Sequence, residues 1–506
     1  MQDSYRPKPG DRIFRPRRIR RYRLRRVLGV PALFSIGYGD VGSSIYYGLG
    51  VVALVALGAT PIVLMLAGIV YIFNALTYAE GTAMLPEAGG SASFARHGFN
   101  DLAGFIAGWA LMLSYIVTMA ISAYTIPPYL SHFWPILNEP AIGTLVSMGI
   151  IAFLMLINVL GVRESSRVNI FFIVIDIATQ ITLVVLGIVL IVAINPGVLI
   201  QNMFGAGNWP STQNLIFGIA IAALCFTGVE SVSQHGEETR HPEKRMPQAY
   251  ILMIVAVMVL FAGISIVALS AMTPQALGDP VNGWARDPVA GIAANLPSET
   301  LQDIFAPLVA ILAASILLVA TNAGLMGISR LSYNLSSHHQ LPAALSRVHH
   351  RFRTPYIAII LFCLISLLVL TPGFFSANFF ADLGALYVFG SLLCFALAHA
   401  AILALRIRRP DLERPFKLSW NIRVKGRELP MTAILGLIST FGIWIIILIT
   451  QPYSRGVGTT WMVIGLIVYC LYRWKSRLPL THLPKKPGEK GIVDSTTEDY
   501  NTKHPL

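Results

Sequence analysis

Charged residues are scarce in this sequence. Only 12% of its 506 residues are Asp, Glu, Lys or Arg, while 55% are hydrophobic. A soluble domain usually carries about 25% charged residues. A chain with so little charge cannot cover its surface with groups that favour water, so much of that surface must contact lipid. The composition therefore argues against a soluble enzyme and indicates an integral membrane protein.

Several chemical signatures are also missing. The four cysteines lie inside apolar segments, and their spacing fits no zinc pattern. The sequence contains no nucleophile elbow, no Walker loop and no HExxH helix. The net charge of +13 could suggest nucleic acid, but the basic residues cluster at the ends of apolar stretches without interleaved aromatics. We therefore expect a protein that is not an enzyme, with no cofactor, no metal and no nucleic-acid partner.

Long apolar stretches recur from Leu28 to Trp474. Each is long enough to cross a hydrocarbon core of about 30 Å as a helix. A short surface helix is expected in the outer loop, around residues 287–293. The predicted spans are TM1 28–57, TM2 60–84, TM3 101–131, TM4 141–161, TM5 168–194, TM6 213–236, TM7 248–272, TM8 302–336, TM9 355–371, TM10 377–405, TM11 430–450 and TM12 457–474.

The positive charges are distributed unevenly about these spans. Of the 38 Lys and Arg residues, all but Arg286 and Arg455 fall on one face. The positive-inside rule makes that face cytoplasmic. We expect a multi-pass protein of the cell membrane with both termini in the cytoplasm. Residues 1–26 then form a basic tail, 27–476 the membrane bundle and 477–506 a disordered tail.

TM1 contains an unusual glycine-rich segment from Gly37 to Ser44, with Asp40 in its middle. The letters match GxGxxG, but that fingerprint needs a preceding strand and a βαβ unit. Within a membrane, irregular backbone is tolerated only where it faces protein or a water-filled cavity. We therefore predict an unwound stretch here, whose free N–H groups could hold an anion such as a carboxylate.

TM6 carries a similar segment, in which Gly228 and Glu230 stand in mid-span. Carbonyl groups freed there would attract a cation or an ammonium group. Interruptions at matching places in two halves are typical of an inverted repeat with its binding site at the bilayer midplane. The alternative is that the glycines serve close helix packing. We predict one repeat over about 28–194, a second over about 213–405, and two further helices over about 430–474.

Several motifs at the helix ends resemble one known family. They are Pro86-Glu87-Ala88-Gly89-Gly90-Ser91 after TM2, Glu237-Glu238-Thr239-Arg240-His241-Pro242-Glu243-Lys244-Arg245-Met246-Pro247 after TM6, Ser329-Arg330 and Gln340-Leu341-Pro342 at and after TM8, and Thr354-Pro355 before TM9. In this order the chain resembles the amino acid–polyamine–organocation (APC) permease superfamily. The resemblance implies an all-α, LeuT-like bundle: two inverted five-helix repeats with broken TM1 and TM6, plus two helices. It also implies alternating access, usually coupled to protons or sodium.

Two features depart from that family. The TM1 segment is acidic at Asp40, in the manner of related potassium-uptake proteins. Some proton-coupled members carry a lysine in TM5 where this chain has Asp176. A carboxylate there disfavours lysine-based coupling and favours a cation site or a titrating acid.

The leading hypothesis is an amino acid transporter. The substrate carboxylate would meet backbone N–H groups around Val41–Ser44, and its amino group would meet carbonyls around Phe226–Gly228. A stripe of small polar residues recurs every four positions along TM3, at Ser114, Thr118 and Ser122, and could face the substrate or serve helix packing. The candidate binding residues are Gly39, Val41, Gly42, Ser43, Ser44, Tyr47, Thr118, Ser122, Phe226, Thr227 and Gly228.

Ionisable groups inside spans are costly and indicate function. Asp40, Asp176 and Glu230 are the candidates for coupling to a proton or another cation, although Asp40 could also cap a half-helix and Asp176 could serve interhelical hydrogen bonding. The alternative hypothesis is a potassium importer, in which the ion would be bound by Asp40, Tyr47, Thr118, Ser122 and Glu230. Two other ionisable residues are expected to be structural: Glu80 at the membrane interface and His399 in the bundle interior.

Overall fold

The computed structural model describes residues 26–161, 166–192, 195–352, 354–376, 379–424 and 426–481. Most of this chain is helical, as expected where no water can satisfy the backbone. The expected tails lie almost wholly outside the described residues. The division into two inverted repeats stays a prediction.

The helices that carry the predicted spans are Val30–Val41 and Ile45–Ala56 (TM1), Thr60–Met84 (TM2), Asp101–Leu130 (TM3), Pro140–Leu160 (TM4), Ser166–Gly187 (TM5), Thr212–Ala222 and Val229–Ser233 (TM6), Pro242–Ala271 (TM7), Glu299–Ser337 (TM8), Tyr356–Leu370 (TM9), Phe379–Arg408 (TM10), Met431–Thr450 (TM11) and Pro452–Lys475 (TM12). Below, TM1a and TM1b denote the two TM1 helices, and TM6a and TM6b the two TM6 helices.

Eleven helical stretches of the described chain are long and apolar enough to cross a membrane. The first of them, Val30–Met84, has 55 residues, which as one straight helix would measure about 80 Å. Leu57 interrupts it with a positive φ of 46°, and a short 3₁₀ turn follows at Leu57–Ala59. The chain therefore turns at Leu57, and the two arms correspond to the predicted TM1 and TM2.

Two helices begin earlier than the apolar pattern predicts. TM7 starts at Pro242 and TM12 at Pro452, and in each helix this proline stands in the first turn. Proline lacks an N–H that the first turn would leave unpaired, so it is well suited to start a helix. Hydropathy follows the lipid-facing part of a helix and not its polar first turn, which explains the difference.

TM3 runs through the centre of the bundle, with 94% of its most apolar window buried, against 22% for TM12. A reciprocal tryptophan pair joins these two helices. The Trp109 indole N–H donates to the Trp461 carbonyl at 2.7 Å, and the Trp461 indole N–H donates to the Trp109 carbonyl at 2.9 Å. Their rings stack with centroids 4.6 Å apart and planes 14° apart.

Glu80 is fully buried among protein side chains, whereas a residue at the membrane interface was expected to reach water. Arg406 of TM10 donates two hydrogen bonds of 2.7 Å to its two carboxylate oxygens. The Leu418 N–H adds a third bond of 3.1 Å. A buried charge needs such pairing. The paired group joins TM2 to TM10 and to the loop that follows TM10.

Smaller elements lie in the loops. A helix at Pro288–Ala294 forms where a short surface helix was predicted, but five of its seven residues are buried, so it packs into the bundle and is not a surface helix. The loop before TM11 forms a two-stranded antiparallel hairpin, β1 Asn421–Val424 and β2 Arg427–Pro430, which the sequence analysis did not predict. Helices make up most of the rest of the described chain, in agreement with the predicted all-α class.

Candidate functional site

The TM6 helix is broken in mid-span. A 3₁₀ turn at Ala223–Phe226 leads to Thr227, whose backbone is extended at φ −85° and ψ 158°. Gly228 then has φ 108°, a conformation that favours glycine because it has no Cβ, and TM6b follows. Neither the N–H nor the C=O of Thr227 is paired with another described residue. TM6 therefore offers polar main-chain groups inside the bundle, as predicted.

The interruption of TM1 takes a milder form than predicted. Gly42–Ser44 form one turn of 3₁₀ helix, and the backbone stays right-handed from TM1a to TM1b. The Ser43 hydroxyl donates to the Asp40 carbonyl at 2.8 Å, and the Ser44 hydroxyl to the Val41 carbonyl at 2.5 Å. These side chains bond to carbonyls of the preceding turn. The expected unwound stretch is absent from TM1, and the proposed carboxylate contacts at Val41–Ser44 stay a prediction.

The two interruptions contact each other. A Cβ added to Gly228 would lie 2.8 Å from Cγ of Asp40 and 2.9 Å from the backbone nitrogen of Val41. The Ser44 hydroxyl also lies 2.5 Å from the carbonyl oxygen of Cys225. Glycine is thus required at position 228 for two reasons: its φ is positive, and TM1 lies too close to leave space for a Cβ. The contact brings the irregular segment of TM6 directly against Asp40.

Two buried carboxylates lie at this contact. Asp40 is 2% exposed, and its Oδ2 accepts a hydrogen bond from the Ser231 hydroxyl. Its Oδ1 has no partner among the described residues. Glu230 is fully buried, and its Oε2 accepts from the Gly228 N–H at 3.0 Å. At the start of TM6b, the Gly228 N–H is therefore bonded to the Glu230 carboxylate, and the Ser231 hydroxyl is bonded to the Asp40 carboxylate.

TM3 and TM10 close one side of this cluster. The Ser114 hydroxyl donates to Oε1 of Glu230 at 3.4 Å and lies 2.8 Å from the Ser391 hydroxyl of TM10. Thr118 bonds back to the Ser114 carbonyl at 3.0 Å. Ser122, one helical turn further along, is buried, and its hydroxyl has no partner in the described chain. Of the predicted TM3 stripe, Ser114 is the member that contacts the carboxylate cluster.

Three buried tyrosines lie near the two carboxylates. Tyr47, Tyr115 and Tyr387 are fully buried and lie within electrostatic range of both Asp40 and Glu230. Phe226 packs instead against the rings of Tyr71 and Phe261, with centroids 5.5 and 5.3 Å away. The surroundings of the cluster are thus aromatic.

Asp176 belongs to a separate cluster. Its Oδ1 accepts from the Tyr46 hydroxyl at 2.5 Å, and its Oδ2 accepts from the Gln180 amide at 2.7 Å. The Tyr129 hydroxyl in turn donates to the Tyr46 carbonyl at 2.7 Å. Tyr46 and the predicted site residue Tyr47 are consecutive in TM1b, so a shift of this helix would act on both clusters.

Backbone hydrogen bonds join the segment before TM1a to the loop after TM6. The N–H groups of Val27 and Leu28 donate to the Glu238 carbonyl at 2.8 and 3.0 Å, and Arg240 N–H donates to the Leu28 carbonyl at 3.0 Å. The segment before TM1 is thus fastened to the loop after TM6 by a β-bridge between Leu28 and Thr239.

Glu87 lies on the same side, in the loop after TM2. Burial raises the pKa of its carboxyl, but the hydrogen bond and charge of His97 and the charge of Arg96 outweigh burial and hold the pKa well below its usual range. Arg96 lies 2.8 Å from Oε2 of Glu87 and His97 lies 3.3 Å from Oε1. These contacts fix the loop to the short helix Ser91–Gly98.

The loop between TM7 and TM8 contacts the end of TM3. Tyr129 accepts a hydrogen bond of 3.4 Å from the Val289 N–H, and the Arg286 guanidinium lies 5.7 Å from the centre of the Tyr124 ring. Burial raises the pKa of Asp287 to about 7, although the charge of Arg286 acts against the rise. These contacts join the TM7–TM8 loop to TM3, while Asp40 and Glu230 are both buried.

A family model described as amino acid permease matches residues 28–471. The chain belongs to the amino acid permease family. A branched-chain amino acid permease of Bacillus subtilis (strain 168) is 27% identical, covering 89% of this chain and 94% of its own length. A methylthioribose transporter of the same organism is 25% identical, covering 90% and 95%. A large neutral amino acids transporter small subunit 2 of Mus musculus is 27% identical, covering 82% and 74%.

Family membership confirms the resemblance drawn from the helix-end motifs, and the apolar helices make this permease a multi-pass membrane protein. The sequence analysis missed Ser231 and Ser391 of the site. Ser231 directly follows Glu230 and could have been included on that ground. Ser391 lies in an otherwise apolar part of TM10, and nothing in its local pattern distinguishes it.

Proposed function

We propose that this permease moves amino acids across the cell membrane by alternating access, with both termini in the cytoplasm. The observation that carries the proposal is the TM6 break. Main-chain groups of Thr227, buried within the bundle, have no described partner and lie next to the contact between Gly228 and Asp40. Unpaired polar backbone inside a bilayer is tolerated where it lines a solute site.

Alternating access requires that each end of the site can open separately. The cytoplasmic closure depends on a few backbone hydrogen bonds between Val27–Leu28 and Glu238–Arg240. The outer closure depends on Tyr129, which contacts both the Tyr46 carbonyl and the buried helix that begins at Pro288. Both closures involve TM1, so tilting of TM1a or TM1b would open one end while the other stays closed.

Coupling to a proton or another cation is assigned to Asp40, Glu230 and Asp176. No described Lys or Arg forms an ion pair with any of the three. A buried carboxylate without a counter-charge is costly when ionised, so it favours uptake of a proton or a cation. Asp176 does not contact the TM6 break, which suits a coupling group better than a substrate contact.

Potassium import is the second candidate, and the acidic Asp40 with its unpartnered Oδ1 is the observation that favours it. The family assignment favours amino acids. Each named relative reported above carries an organic solute according to its name.

The test is uptake by the purified full-length permease in liposomes. Labelled standard amino acids, methylthioribose and rubidium are compared with and without a pH gradient. We expect saturable amino acid uptake that a pH gradient or a cation gradient stimulates. Asp40→Asn should abolish it, while Asp303→Asn, the same change at an exposed aspartate of TM8, should not. Uptake of rubidium without any amino acid would refute the proposal in favour of the potassium alternative.

A further inference from the structure

The hairpin before TM11 exposes apolar side chains on one face. Trp420, Ile422 and Val424 alternate along its first strand, and they are 56%, 37% and 42% exposed. The Met431 N–H donates to the Trp420 carbonyl at 2.8 Å, so the pairing of β1 with β2 continues to Trp420. Alternate residues of a strand point to the same face. The side chains of Trp420, Ile422 and Val424 therefore form one apolar surface, called the hairpin face below.

The hairpin lies at the level of the lipid headgroups. TM11 begins at Met431, the residue after β2, and its 20 residues measure about 30 Å. That length matches the hydrocarbon core of a bilayer, so Met431 lies where the core ends. Tryptophan is enriched at this depth, because its ring is apolar and its N–H is polar. An exposed apolar face that contains Trp420 is therefore typical of contact with the membrane interface.

Basic side chains lie beside the hairpin face. Lys417 and Arg423 share one carboxylate, that of Glu428, which lies 3.4 Å from Arg423. Arg427 lies opposite Val424 on β2, is exposed, and forms no ion pair with a described residue. Three cations against one anion leave a net positive charge. Such a charge next to a bilayer attracts anionic lipid headgroups.

The bundle holds the hairpin in place. The Leu418 N–H donates to the buried Glu80 carboxylate at 3.1 Å, and the Asn421 side-chain amide donates to the Leu418 carbonyl at 2.6 Å. Glu80 is in turn paired with Arg406 of TM10. A lipid that binds the hairpin face therefore meets a preformed surface, which lowers the entropic cost of binding.

We propose that the hairpin face binds anionic phospholipids of the adjacent membrane leaflet. Its apolar side chains enter the boundary between headgroups and acyl chains, while Arg423 and Arg427 contact the headgroup phosphates. Free phosphate would account for the arginines alone, since it offers no partner to three exposed apolar side chains. A cytosolic protein is the competing occupant, and the position of the hairpin at the start of a membrane span favours lipid over it. The inference is independent of which solute the permease carries.

Photo-crosslinking identifies what the hairpin face contacts. The photoreactive amino acid p-benzoylphenylalanine replaces Val424 in the full-length permease and, in a control protein, Val348. Val348 is exposed to a similar extent, 45%, and lies in the TM8–TM9 loop on the same side of the membrane. Both proteins are irradiated in vesicles that contain equal amounts of phosphatidylcholine and phosphatidylglycerol, and mass spectrometry identifies the adducts. We expect lipid adducts at position 424, mostly with phosphatidylglycerol, and few at position 348.

Charge variants of the protein with the photoreactive residue at position 424 test the arginines. One basic residue near an anionic surface changes lipid association by about fivefold, so Arg423→Gln with Arg427→Gln should lower the ratio of phosphatidylglycerol to phosphatidylcholine adducts by about ten- to thirtyfold. Arg347→Gln with Arg351→Gln is the matched control, because it removes two exposed cations from the TM8–TM9 loop and should leave that ratio unchanged. Thermal unfolding shows whether each variant is folded. Added salt, which screens the same attraction, tests the charge in the unmodified hairpin.

The outcomes decide the proposal. Adducts without a preference for phosphatidylglycerol, or a preference that survives both added salt and the loss of Arg423 and Arg427, would overturn the recognition of anionic lipid. Equal lipid adducts at positions 424 and 348 would show that the hairpin face contacts the bilayer no more than another exposed loop does, and would overturn it as well. Irradiation of native membranes tests the competing occupant, since a protein adduct in place of lipid at position 424 would also refute the proposal.

Discussion

Replacing Gly228 by alanine is the sharpest test of how TM1 and TM6 meet. The new Cβ would lie 2.8 Å from Cγ of Asp40, 2.9 Å from the nitrogen of Val41 and 3.0 Å from the carbonyl carbon of Asp40. Real Cβ atoms do not approach other heavy atoms this closely. Two of these atoms belong to the TM1 backbone, which cannot rotate away as a side chain can. The helices must therefore separate.

The cost has two parts that can be worked out separately. A φ of 108° strains any residue with a Cβ, by about 1–2 kcal/mol. Crowding in a packed core adds about 1–3 kcal/mol. The sum is about 2–5 kcal/mol, a large share of the stability of a typical protein. Separation of TM1 from TM6 would also displace Asp40 from Ser231, so transport should be lost even in molecules that stay folded.

Gly207→Ala is the matched control for backbone strain. Gly207 has a φ of 81°, but an added Cβ would meet no atom within 4 Å. This variant should carry the strain without the crowding. Equilibrium unfolding in mixed micelles gives the stability of both variants, and liposome uptake gives their activity. If Gly228→Ala transports normally and is no less stable than Gly207→Ala, then TM1 and TM6 do not meet in the way described.

Three further substitutions test the rest of the fold. Glu80→Gln should lower the free energy of unfolding by about 3–5 kcal/mol because it leaves Arg406 buried and unpaired, while leucine at both positions should recover much of that loss; equal losses in both variants would refute the pairing. Asp287→Asn should stabilise the protein at pH 8 by roughly 2–4 kcal/mol, since the raised pKa of Asp287 makes its ionised form unfavourable. That gain should shrink as the pH falls from about 7 to about 4, and a gain independent of pH would contradict it. Glu87→Gln should lower the free energy of unfolding by only about 1 kcal/mol at neutral pH, because the Glu87 side chain is 36% exposed. That loss should vanish only in strong acid, because the pKa of Glu87 is lowered. Thermal unfolding at several pH values measures the effects of Asp287→Asn and Glu87→Gln.

The membrane spans were predictable because the bilayer imposes one strong rule on every segment. A segment inside the bilayer must be apolar and must pair its own backbone N–H and C=O groups in a helix, so hydropathy alone places the helices. The helix starts at Pro242 and Pro452 were missed for the same reason, since a first turn that lies in the polar interface carries no hydropathy signal.

The interruptions of TM1 and TM6 differ in a way that the number of glycines in each helix does not predict. TM1 has more glycines than TM6, yet TM6 is the helix that opens. In TM1 the hydroxyls of Ser43 and Ser44 bond back to the preceding turn, which accommodates a 3₁₀ turn without unwinding. In TM6 the Thr227 hydroxyl also bonds back, to the Leu224 carbonyl at 2.9 Å, but Gly228 adopts a φ of 108° and its N–H donates to the Glu230 carboxylate, so the helix ends and a new one begins.

Partners that lie far apart in the sequence could not be predicted. Glu80 was expected at the interface because one apolar pattern cannot show that Arg406, 326 residues later, lies beside it. Ser391 was missed for the same reason. His399 was predicted correctly as an interior histidine, with hydrogen bonds of 2.8 Å to Thr77 and Asn74, since a histidine within an apolar span needs such partners.

The paired indoles of Trp109 and Trp461 give this permease a built-in optical reporter. Two rings stacked 4.6 Å apart are close enough for their excited states to couple, which contributes to the circular dichroism of the strong far-ultraviolet indole bands. The tryptophan pair would lose that signal if TM12 moved away from TM3 during turnover. A spectrum that stays constant while solute is carried would show that these two helices form one rigid frame, against which the others move.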